Sequence, residues 1–149
     1  MTRFQHWRKR ALLGVVVFLV LAQLVRPAPT NPPVTQEIAA PADVLALLRR
    51  ACGDCHSHAT RWPWYTHVAP VSWLVVYDVN HGRKQLDLST WDAYPAKKQA
   101  KRLADIAEQV REREMPLWYY LPLHPDARLT DAERARIADW AESASAAGK

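Results

Sequence analysis

Two thiols and an imidazole stand within one short run, Cys52-Gly53-Asp54-Cys55-His56, and the chain has no other cysteine. The pattern is C-x-x-C-H. Two cysteines one helical turn apart reach the two vinyl groups of a porphyrin and form thioether bonds. The histidine that follows sets its imidazole under the iron as proximal ligand. The motif therefore reads as an attachment site for one covalent haem c, with Cys52 and Cys55 as anchors and His56 as metal ligand. Three other chemistries use similar residues. A thioredoxin-like pair needs the motif at a strand-to-helix junction, and no βαβ pattern surrounds it. A structural zinc site takes a second ligand pair downstream, and no second cysteine pair exists. A disulfide across this spacing closes a tight, strained loop.

A six-coordinate iron needs a ligand on the opposite face. Met115 is the only methionine besides Met1, and it lies in Glu114-Met115-Pro116 where a long helix gives way to a loop. A thioether there supports His/Met ligation, which favours Fe(II). Filling a core gap is the ordinary alternative for a methionine. Among the histidines, His6 precedes the apolar N-terminal segment, and His58 belongs to the proximal side. His67, His81 and His124 lie far enough along the chain to reach the distal face, and His124 is the chief rival of Met115. Arg83-Lys84 either neutralises haem propionates or is solvated. The many Trp and Tyr residues after residue 61 suit packing against a porphyrin as well as an ordinary core.

The elements that must position these groups follow from pattern. Arg3, His6, Arg8, Lys9 and Arg10 precede an apolar run from Ala11 to Val25, and Arg26 follows. This reads as a signal anchor over residues 1–25, a transmembrane segment that tethers the chain by a single pass. A cleaved signal peptide is the alternative. The run is short, about 22 Å as a helix against roughly 30 Å of hydrocarbon, so flanking basic residues and Trp7 must extend it. The net charge of +5 resides in this segment, which holds five basic residues and no acid up to Arg26. The rest of the chain is balanced, and nothing favours nucleic-acid binding. Prolines across residues 26–41 suggest an extended spacer.

Residues 42–142 form the expected haem-binding domain, which is all-α. Val44, Leu47, Leu48 and Ala51 make one apolar helical face that delivers Cys52. Pro70 to His81 has β character in its Val-Val-Tyr run, but Pro70 and Gly82 favour a helix that stops at Gly82. Ser89 to Tyr94 is a short helical turn with Ser89 and Asp92 as a capping pair. Pro95 to Glu114 is a helix with Leu103, Ile106, Ala107 and Val110 inward and Lys101–Asp105 as an i,i+4 pair, ended by Pro116. The last helix begins at the capping box Thr130-x-x-Glu133, with Ile137, Trp140 and Ala141 inward. Residues 143–149 read as a flexible tail.

With these stretches in place the chain resembles the bacterial haem-binding domain family, small exported proteins with one C-x-x-C-H. The resemblance rests on CGDCHSHATRWPWY from Cys52, APVSWLVVYDVNHGR from Ala69, LDLSTW from Leu86, EMPLWYYLPLH from Glu114 and LTDAERARIADW from Leu129. It implies covalent haem, a small cytochrome c-like helical domain and a tether to the cytoplasmic membrane, with the haem domain facing the periplasm or cell exterior. It implies no substrate. Two functions from different classes follow. One is a one-electron carrier serving a redox partner protein. The other is a peroxidase-like haem enzyme or a gas or redox sensor, which needs an open sixth site. Arg111, Arg113 and His124 are its candidate charge stabilisers. A visible sixth ligand and the lack of a visible catalytic set favour the carrier.

Overall fold

The computed structural model describes residues 3–148. It is all-α, with helices α1 (Arg3–Ala22), α2 (Ala42–Ala51), α3 (Gly53–His56), α4 (Val71–Gln85), α5 (Ala96–Arg111) and α6 (Asp131–Ala147). Short 3-10 turns cover Trp64–His67, Trp91–Ala93 and Pro125–Ala127. Among the described residues the β-structure amounts to an isolated bridge between Gln36 and Thr90. The chain forms two compact units. One joins the N-terminal segment up to Thr30 with Trp62–Asp78, and the other joins Asn31–Arg61 with the chain from Val79 onward.

The second unit holds the core. Val44, Leu48 and Ala51 of α2 pack with Leu103, Ile106, Ala107 and Val110 of α5 and with Ile137, Ala138 and Ala141 of α6. These are the faces that the 3.6-residue period marks out, with Leu47 and Trp140 at the margin. Lys101 meets Asp105 at 2.8 Å, the i,i+4 pair read from sequence. α6 starts as its capping box requires: the Thr130 side chain accepts from Glu133 N at 3.2 Å, and Thr130 N donates to the Glu133 carboxylate at 2.8 Å. Thr130→Ala removes both the cap acceptor and the turn geometry it enforces. The expected loss is about 1 kcal/mol of unfolding free energy, measured by urea titration.

Five expectations need correction. Gly82 does not stop α4, which continues to Gln85. α5 ends at Arg111, five residues before Pro116, because Arg113 turns left-handed at φ 61°. The turn at Trp91–Ala93 has Thr90 at its N-cap without a side-chain cap; Ser89 Oγ instead accepts from His58 N at 2.9 Å, and Asp92 accepts from Thr35 at 2.7 Å. The proline-rich stretch is no free spacer over its whole length. Ile38 N donates to Leu88 O at 2.9 Å, and Ile38 is 3% exposed within the core. The tail from Ser143 is helical to Ala147, with buried Ser145 donating to Ala100 O at 2.8 Å. Lys149 lies outside the described residues.

The N-terminal segment also differs from expectation. α1 ends at Ala22, and its first turns carry Arg3, Arg8, Lys9 and Arg10. Its uncharged part from Ala11 is about 18 Å long, well below the roughly 30 Å of a bilayer core. Among the described residues no helix is long and apolar enough to cross a membrane. The transmembrane expectation for residues 1–25 is therefore not met.

Candidate functional site

α2 delivers the motif as its pattern demands. Cys52 closes α2, with its N–H donating to Leu48 O at 2.9 Å, and it also opens α3. The one-turn helix α3 sets Cys52 and Cys55 a helical turn apart, and His56 N donates to Cys52 O at 2.9 Å. The two thiols are not joined as a disulfide. Cys52 packs against the core, and burial pushes its thiol up to about 11, against the pull of the Arg134 charge. A thiol held protonated by burial is the opposite of a thioredoxin-type thiolate. No cluster of three or more His, Cys, Asp or Glu able to hold a metal ion occurs among the described residues.

His56 is oriented for ligation. Its Nδ1 faces Gly82 O at 3.1 Å and Leu86 O at 2.9 Å. Two carbonyl acceptors require Nδ1 to carry the proton, which leaves the Nε2 lone pair for a metal. Burial lowers the pKa of the ring, opposed by these two bonds and by Asp87, and so favours the neutral form that a ligand needs. Leu88 N donates to His56 O at 2.8 Å and fixes the backbone from the same side.

Gly82 makes this possible. A Cβ at position 82 would stand 2.7 Å from Cys55 O and 3.3 Å from Cys55 Cβ. α4 therefore crosses α3 at a separation that only glycine permits, and at that separation its carbonyl reaches His56. Sequence reasoning took this glycine for a helix stop. Its position after a long helical run gave no sign of a close crossing.

The neighbouring polar groups are structural. His58 Nδ1 faces Pro33 O at 2.8 Å and Nε2 faces Asp87 Oδ2 at 2.8 Å, so both ring nitrogens are engaged and His58 is not available as a ligand. Arg83 donates through Nε to Ser57 O at 2.9 Å and through Nη2 to Thr60 Oγ1 at 2.8 Å and Asn31 Oδ1 at 3.2 Å. It thus staples the segment after the motif, whereas a propionate partner was one expectation. Asp54, inside the motif, accepts from Tyr120 Oη at 2.7 Å and from Arg61 N at 3.0 Å. Burial first, and Asp54 second, push the Tyr120 phenol upward, so it stays a neutral donor. Tyr120 and Asp54 were not singled out from sequence, since the pair spans 66 positions.

The loop after α5 is tied to α6 at Met115. The buried guanidinium of Arg134 donates from Nη1 to Val110 O at 3.1 Å and to Met115 O at 2.7 Å. Its charge also reaches Cys52, and its Nε has no partner. Met115 is partly buried, and Pro116 beside it is buried. The rivals fare differently. His67 and His81 are exposed. His124 stacks on Tyr120 at 3.8 Å between ring centroids, with Nδ1 3.0 Å from Tyr120 O. Arg111 pairs with Asp139 and Glu142, and Arg113 pairs with Asp131 at 2.6 Å. His6 sits on α1 and is exposed.

These residues fit a haem: two unlinked thiols a turn apart, an oriented neutral imidazole, and an orphaned buried Nε on Arg134. The chain matches the haem-binding domain family over residues 11–143. It belongs to that family and is a haem-binding protein. A cytochrome c peroxidase of Escherichia coli (strain K12) is 31% identical over 101 residues, which are 65% of this chain and 22% of the peroxidase. The chain thus spans less than a quarter of that relative. No solved structure matches.

Proposed function

We propose that this chain is a c-type haem protein that transfers single electrons to a redox partner protein. Cys52 and Cys55 carry the porphyrin through thioethers, His56 is the proximal ligand and Met115 the distal one. The bound haem supplies the Fe(III)/Fe(II) couple. The protein's part is to hold both ligands and exclude others. Gly82 O and Leu86 O fix the His56 ring, and Arg134 anchors the backbone that carries Met115. The observation that carries the reading is the His56 geometry, with Nδ1 committed to two carbonyls and Nε2 left for iron.

Similarity to part of a cytochrome c peroxidase supports a redox setting. That relative also lends support to the second reading, a peroxidase-like enzyme or sensor with an open iron. The engagement of Arg111, Arg113 and His124 in other bonds favours the carrier. The N-terminal segment, basic up to Arg10 and apolar from Ala11, supports export, with haem on the far side of the cytoplasmic membrane.

Covalent attachment has a direct test. After denaturation and acid–acetone extraction, the intact mass should exceed that of the polypeptide by one haem. Cys52→Ala and Cys55→Ala should each leave a single thioether, and the double replacement should release all haem into acetone. A wild-type mass equal to the bare polypeptide refutes the reading.

A further inference from the structure

The N-terminal segment up to Thr30 and Trp62–Asp78 form a compact unit of their own. Within it the first half of α4 carries apolar residues on its exposed face as well as on its buried one. Val71, Leu74 and Tyr77 fall at i, i+3 and i+6, one stripe of a helix, yet they are 44%, 52% and 63% exposed. The opposite side buries Ser72, Val76 and Val79, at 1%, 4% and 2% exposed, and the Ser72 Oγ lacks a partner. Trp64, 77% exposed, and Val68, 43% exposed, continue the apolar surface into the segment before α4. A run of large exposed apolar side chains marks a surface built to meet another phase or partner.

The same unit fastens this segment to the end of α1. Gln23 Nε2 donates to Ala69 O at 2.9 Å, and Gln23 Oε1 accepts from Ala69 N at 3.1 Å. Trp73 Nε1 donates to Val25 O at 2.6 Å. α1 is itself exposed along its apolar residues from Leu12 to Leu21. Its flanks carry Arg3, Arg8, Lys9, Arg10 and Arg26, and no acid occurs up to Arg26. Aromatic rings beside aliphatic side chains suit the boundary between headgroups and acyl chains, and a purely basic flank is complementary to anionic headgroups. We propose that Trp64, Val68, Val71, Leu74 and Tyr77 form a second membrane contact, seated in the interface of an anionic lipid bilayer beside α1. A helix too short and too charged to span gains from a second, interfacial anchor. The proposal does not rest on the redox reading.

The test uses the full haem-loaded chain and vesicles of phosphatidylethanolamine and phosphatidylglycerol, with phosphatidylcholine vesicles as the uncharged comparison. The Leu74→Glu/Tyr77→Glu double variant should weaken binding to the anionic vesicles by roughly tenfold or more, because a carboxylate is strongly disfavoured at this depth. The Leu74→Ser/Tyr77→Ser variant should weaken it less, and circular dichroism should show both to be folded. With brominated phosphatidylglycerol, part of the tryptophan quenching should disappear in Trp64→Phe. Unchanged affinity in both double variants, or unchanged quenching in Trp64→Phe, overturns the proposal. Loss of a protein partner with vesicle affinity intact also overturns it and makes the face a protein docking site.

Discussion

Gly82→Ala is expected to abolish stable haem attachment, although alanine is the better helix former. Propensity alone predicts a gain of up to about 1 kcal/mol within α4. The new Cβ, however, would stand 2.7 Å from Cys55 O and 3.3 Å from both Cys55 C and Cys55 Cβ. These are backbone atoms and the root of a side chain, so nothing can swing aside. Overpacking of this kind typically costs about 1–3 kcal/mol. Pushing α4 away also lengthens the bond from His56 Nδ1 to Gly82 O, now 3.1 Å, and frees the ring proposed as the proximal ligand. The measurement is haem-to-polypeptide ratio together with urea stability. Gly53→Ala is the control, because a Cβ there meets Ser57 Oγ at 3.8 Å and Leu48 O at 3.9 Å, ordinary contact distances. Gly53 lies inside the motif itself, so equal damage from both variants would refute the close-crossing account.

Met115→Ala is expected to leave haem attached and open the iron. The near-infrared charge-transfer band of the ferric form should vanish, and carbon monoxide should bind the ferrous form readily. Met115→His should keep six coordination and lower the potential, because imidazole supports Fe(III) better than a thioether does. Each ~59 mV of that fall is tenfold in a one-electron equilibrium constant. The structure adds a second route to the same effect. Arg134 holds the Met115 carbonyl at 2.7 Å from inside the core, so Arg134→Met should loosen the loop and weaken the band without removing the ligand. If Met115→Ala changes neither band nor potential, the ligand is another residue, with His124 the first to replace. A wild-type protein that is already high-spin and binds carbon monoxide would favour the enzyme or sensor instead.

Much of this protein is decided locally. C-x-x-C-H is a contiguous signal, and its chemistry follows from residue type and spacing within one helical turn. The α2, α5 and α6 faces were legible because amphipathic periodicity is a property of each segment alone. The Thr130–Glu133 box was legible because both bonds close within three residues.

What sequence did not determine are the relations between distant segments. Gly82 reads as a stop because glycine often ends helices, and only the crossing of α4 against Cys55 shows that it serves as a space. The carbonyls that orient His56 lie 26 and 30 positions away, and backbone acceptors leave no trace in residue identity. Arg83 reads from sequence as a propionate partner or a solvated charge, and its bonds to Ser57 O and Thr60 Oγ1 are visible only in the fold. The proline-rich stretch reads as a spacer by composition, yet Ile38 is drawn into the core by apolar burial that composition does not register. Residue types thus set which chemistry is available here. The tertiary fold decided which of the eligible side chains are free to perform it, because burial and hydrogen-bond satisfaction are settled only once remote segments meet.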